Sequence, residues 1–195
     1  MERNKHFGQM ATKTVAFCAL LSAISIVLAR LLSFTPVAEV RLSLDKFPIF
    51  LAGMLFGPLA GVMVGFVADF IGCLLSPFGF NPIFTLPALL YGLFGGFFRP
   101  LLARKLNLGW LALAYLFPVT LGSWLYQSAT LAFVYSSTTF LPAFTAHLAS
   151  RGIQFGVTLV LEVMILSLLM QSRIFTRLGV WPPIKFKRGS ENDDC

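Results

Sequence analysis

The sequence predicts an all-α membrane protein, a six-transmembrane-helix bundle with both termini cytoplasmic. Three observations carry this. Of 195 residues, 57% are hydrophobic and only 12% are charged, with a mean hydropathy of +0.81; soluble domains carry roughly 25% charged residues. The apolar residues gather into runs long enough to cross a bilayer. The basic residues collect on one side of the topology those runs define. A soluble globular domain, a disordered chain and a nucleic-acid binder are all disfavoured by the same composition.

The elements follow in chain order. Ala11 to Leu32 is the first apolar run, with a basic flank containing Arg3, Lys5 and Lys13. It is too long for a signal-peptide core and lacks a clear small-residue cleavage site, so it reads as a spanning helix. Phe34 to Asp45 contains a proline and several charges and reads as a loop. Apolar sequence resumes from Phe47 to Leu75, broken by Gly57-Pro58. A proline disfavours helical geometry in the residue before it, which splits this run into a short helix and a longer one. Ser76 to Pro82 is a turn rich in glycine and proline. The fourth, fifth and sixth helices are expected at Phe84–Leu102, Leu108–Tyr135 and Pro142–Met170. The membrane unit thus occupies residues 1–175, and residues 176–195 form a basic, then acidic, cytoplasmic tail.

An even number of spans places both termini on one side. With that side cytoplasmic, it holds Arg3, Lys5, Lys13, Arg99, Arg104, Lys105, Arg173, Arg177, Lys185, Lys187 and Arg188, eleven of the 15 basic residues. Arg30, Arg41 and Lys46 fall outside, and Arg151 lies within the sixth span. The net charge of +7 is therefore explained by topology.

Small residues recur at helical spacing. Gly57, Gly61 and Gly65 share a face that Asp69 extends, and Ala88, Gly92 and Gly96 form a second stripe. Such stripes let helix backbones approach closely in lipid. A polar stripe on the sixth helix is more informative. His147, Arg151, Gln154, Thr158 and Glu162 follow one face. Arg151 and Glu162 stand roughly 16 Å apart along a regular helix, too far for a salt bridge. Charged groups within spans are costly unless they face the interior or water, so this face is expected to line a cavity. Thr120, Trp124 and Gln127 on the fifth helix and Asp69 on the third complete it. Arg30, Arg41 and Arg151 lie toward the outer side and suit a ligand bearing carboxylates, which guanidinium binds in bidentate fashion. Phe78, Phe80 and Trp124 offer flat surfaces for a ring system.

No catalytic residue, cofactor or metal site is expected. The chain has no G-x-x-x-x-G-K-[ST] phosphate loop and no H-E-x-x-H motif. Ser123 lacks a nucleophile-elbow context. Cys18, Cys73 and Cys195 belong to no ligand cluster.

The segment Arg41 to Gly96 resembles the substrate-binding S components of energy-coupling factor (ECF) transporters, and among them the folate-specific branch. The motifs that carry the resemblance are L-A-G-x-L-F-G-P at Leu51–Pro58, a glycine-spaced helix ending in D-x-x-G at Asp69–Gly72, P-x-G at Pro77–Gly79 and F-T-x-x-A at Phe84–Ala88. The resemblance implies a bacterial plasma-membrane protein that captures folate from outside. It delivers the vitamin by toppling, in complex with a coupling membrane subunit and two ATPases. With folate as the ligand, Arg30, Arg41 and Arg151 are expected to take the glutamate carboxylates. Phe78, Phe80 and Trp124 stack on the rings, and Asp69, or less readily Glu162, accepts from the pterin amino edge. Asn81, Gln127 and Gln154 belong to the same substrate site, and Ala19 and Ala23 contact the coupling subunit. Asn81-Pro82-Ile83 departs from the aromatic-proline-glycine more usual in the folate branch, which leaves pantothenate, a queuosine precursor or the thiamine pyrimidine moiety as alternative ligands. A membrane-embedded scaffold without substrate is the reading from a different class.

Overall fold

The computed structural model describes residues 2–179 except 32, 33, 38, 39, 43, 76–81, 105, 106, 136–139 and 173. Its elements are α1 (Glu2–Leu31), β1 (Phe34–Val37), β2 (Val40–Leu42), α2 (Lys46–Phe56), α3 (Pro58–Leu74), α4 (Pro82–Phe97), α5 (Arg99–Arg104), α6 (Leu108–Pro118), a π-helical segment (Val119–Tyr126), α7 (Gln127–Tyr135), α8 (Phe140–Gln171) and α9 (Ile174–Arg177). Three apolar stretches, Thr12–Arg30, Leu108–Phe133 and Gln154–Gln171, are long enough to cross a bilayer. The apolar helices α2, α3 and α4 are shorter.

α2 is the axis of the bundle. Eight consecutive residues, Pro48 to Leu55, are buried, because the helix is apolar all round and packs against α1, α3, α4, α5 and α8. It ends at Gly57, whose φ of 108° is left-handed territory that a side chain would strain. Pro58 then opens α3 at a first-turn position where its missing N–H costs nothing.

The two small-residue stripes meet. A Cβ at Gly61 would lie 2.6 Å from the Gly53 Cα and would also strike the Gly92 carbonyl. One at Gly65 would sit 2.7 Å from the Ala88 carbonyl oxygen, and one at Gly96 2.6 Å from the Gly57 carbonyl carbon. The backbones of α2, α3 and α4 are thus in direct contact, as small-residue faces permit.

Two elements depart from expectation. Residues 34–42, expected as an irregular loop, hold an antiparallel hairpin pairing Phe34 with Leu42 and Val37 with Val40. Pro36 disfavours a strand only where its missing N–H would be needed, and a two-stranded ribbon leaves every other residue free of that demand. The fifth apolar stretch is not one uniform helix. Pro118 removes the donor for the carbonyl four residues back and crowds it, and the chain continues through Val119–Tyr126 in the wider π geometry before returning to α-helix at Gln127.

Candidate functional site

α6, the π-helical segment, α7 and α8 form one side of the bundle, and β2 and α2 also pack on α8. On this side, Trp124 donates its indole N–H to the Leu148 carbonyl at 3.0 Å. Its ring lies 5.4 Å from Phe155, tilted by 32°. Arg151 and Gln154 are half-buried on the same helix, as are His147 and Thr158. Gln127, half-buried, opens α7 one turn beyond Trp124. The structure therefore brings Trp124, Gln127, Arg151 and Gln154 to facing elements.

Deeper in the bundle, Glu162 is 2% exposed. Its Oε2 accepts a 2.7 Å hydrogen bond from the Tyr115 hydroxyl. The Tyr115 ring packs edge-on to Phe50 at 4.8 Å and against Tyr91 at 5.5 Å. Tyr91 in turn shares a 2.8 Å hydrogen bond with Ser123 of the π-helical segment. This layer meets the head of α2, where Lys46 pairs with Asp45 at 2.8 Å. Ser25 of α1 donates to the Asp45 carbonyl at 2.6 Å, tying the first helix to the same point.

The remaining expected site residues are distributed differently. Asp69 sits at the end of the α3–α4 seam, one step beyond the Gly65–Ala88 contact, and its Oδ2 accepts a 2.6 Å hydrogen bond from Thr85. Arg30 donates from its guanidinium to the Gly72 carbonyl, bridging α1 and α3. Arg41 is placed in β2 by its backbone alone. Phe78, Phe80 and Asn81 lie outside the described residues. Ala19 and Ala23 are exposed on one face of α1, beside Ala16. Among the described residues, no group of three His, Cys, Asp or Glu side chains is arranged to hold a metal.

Sequence reasoning missed Lys46, which it counted as an outer loop charge, and the tyrosine pair beneath the polar stripe. The signal for Lys46 was present: Asp45-Lys46 directly precedes an uninterrupted apolar run, which places an ion pair at the mouth of a buried helix.

The fold is shared with known proteins. A crystal structure titled FolT bound with folic acid superposes with a TM-score of 0.70 at 26% identity, covering 83% of this chain and 94% of that one. The S component for biotin from an ECF-type ABC transporter matches with a TM-score of 0.62 at 21% identity, over 84% of this chain and 93% of the other, a likeness of fold. A folate transporter, FolT, of Clostridium novyi (strain NT) is 36% identical over 84 residues, 40% of this chain. The chain spans about half the length of that relative, 48%. Residues 13–178 match the family described as ECF transporter, substrate-specific component, and with most of its length inside that match the chain belongs to this family of transporter substrate-binding subunits.

Proposed function

We propose that this chain is a folate-capturing S component in the plasma membrane of a bacterium. It crosses the bilayer six times with both termini cytoplasmic, and residues 176–195 form a cytoplasmic tail. The observation that carries the vitamin is the convergence of the two folate-related comparisons: the 36% identical relative is a folate transporter, and the structural neighbour at TM-score 0.70 holds folic acid. The charge distribution supports the orientation, since eleven basic residues then lie inside. The three shorter apolar helices span by packing around one another, with α2, α3 and α4 in mutual contact along the glycine seam.

Folate enters from the outer side between the β1–β2 hairpin and α7–α8. Arg151 and Arg41 take the glutamate carboxylates, and Trp124, with Phe78 and Phe80, flanks the rings. Asn81, Gln127 and Gln154 supply hydrogen bonds, and Asp69 accepts from the pterin amino edge. Arg30 reaches the ligand by exchanging its Gly72 carbonyl partner for a carboxylate. Ala19 and Ala23 form the contact with a coupling subunit that works with two ATPases, and the chain topples to release its cargo inside. Tryptophan fluorescence of the purified protein titrated with folic acid tests the vitamin, with pantothenate and riboflavin as controls. Saturable quenching by folate alone supports the reading, and a folded protein blind to folate overturns it.

A further inference from the structure

The head of α2 has a property that the rest of that helix lacks. From Pro48 to Leu55 every residue is buried, yet the Lys46 side chain remains 23% exposed while its partner Asp45 is 12% exposed. A helix enclosed by α1, α3, α4, α5 and α8 has no lateral access to lipid. The open part of Lys46 lies at the N-terminal end of α2, ahead of the buried run. A cation within the membrane-embedded bundle is stable there only beside counter-charge or water. Counter-charge is supplied: Asp45 pairs with it directly, and Asp69 and Glu162 lie within electrostatic reach.

This layer has a depth and a donor pattern. Along α8, Glu162 lies roughly 16 Å below Arg151, so the Lys46 layer forms the floor of a site whose upper end carries the arginines. A pterin presents two donors, the 2-amino group and N3–H, next to one acceptor, the C4 carbonyl. The floor presents a matching pair, the Asp45 carboxylate beside the Lys46 ammonium.

We infer that Lys46 is a ligand-binding, specificity-determining residue, whose ammonium donates a hydrogen bond to the C4 carbonyl oxygen of the pterin while Asp45 holds it in place. The inference rests on the folate reading and deepens it. It requires that folic acid be distinguished from 4-amino-4-deoxyfolic acid, which differs at that position in presenting an amino donor to the ammonium.

The test is equilibrium binding of these two ligands at pH 8 to the purified, monodisperse protein and to Lys46→Met. Wild type is expected to prefer folic acid by about tenfold or more, the worth of a charge-assisted hydrogen bond. Lys46→Met is expected to lose most of that preference by weakening folic acid selectively. Equal affinity of the wild-type protein for both ligands would overturn the inference without any variant. So would a Lys46→Met protein that loses both ligands by the same factor, which is the mark of a purely structural role. If wild type binds neither ligand, the folate reading falls first and the inference with it, an outcome distinct from binding without discrimination.

Discussion

The Tyr115 hydroxyl donates to Glu162 Oε2 at 2.7 Å, joining α6 to α8 at a depth where neither side chain meets solvent. A buried carboxylate is tolerable only while its donors are present, here the Tyr115 hydroxyl and the Lys46 backbone N–H, because losing one leaves part of a polar group unpaired in an apolar layer. Tyr115→Phe removes one donor and leaves the shape, and is expected to cost about 1–3 kcal/mol. Changing Glu162 to Met in the same chain removes the polar group as well and should recover part of the loss. Thermal unfolding in detergent of the two single variants and the double variant checks this. Additive losses would contradict a direct pairing.

The glycine seam makes a sharper prediction about packing. Gly61→Ala puts a methyl group 2.6 Å from the Gly53 Cα, where backbone and not a flexible side chain must move. Overpacking of this kind costs typically about 1–3 kcal/mol, and more where two backbones are in contact. Gly156→Ala on α8 has nothing within 4 Å of the new Cβ and is expected to be neutral or stabilising by up to about 1 kcal/mol. Melting temperatures of the two variants should therefore shift in different directions, and equal shifts would mean the helices are farther apart than described.

Arg151 stands half-buried on the face of α8 that carries Gln154, and across from Trp124. If it holds a glutamate carboxylate, Arg151→Ala should weaken folic acid binding by about tenfold or more, as loss of a hydrogen bond to a charged group does. Pteroic acid, which lacks the glutamate, should bind wild type and variant alike. Isothermal titration with both ligands separates the outcomes, since equal loss for both would take Arg151 out of the carboxylate site.

How far these sites were legible beforehand differs from element to element. The Gly57-Pro58 break was visible because it is a local steric effect, and the structure ends α2 and begins α3 there. The seam was visible as spacing, although which stripe faces which depends on the antiparallel pairing of α3 with α4. The hairpin was hidden by Pro36 and by charges that argue against strand in isolation. Asp69 shows what spacing leaves open. Periodicity put it on the seam face and charge suggested a cavity, and the structure places its carboxylate against Thr85. Periodicity reports the face, whereas the partner across it is a tertiary fact.

That distinction yields a prediction about Ala19 and Ala23, whose small side chains are exposed along α1 and are not used to pack the bundle. A small-residue surface that no neighbour among the described residues covers suits a sliding contact with another membrane helix. Ala19→Leu and Ala23→Leu add bulk to an outward face, so they should leave folding and folate affinity within about twofold of wild type, as expected of surface changes. Folate uptake by cells carrying the whole transporter should fall at least severalfold, because the enlarged side chains hold the helices apart. Parallel measurement of binding by purified protein and uptake by cells decides it. Uptake equal to wild type would free this face from the coupling role, and a loss of binding in step with uptake would move it to a role within the fold.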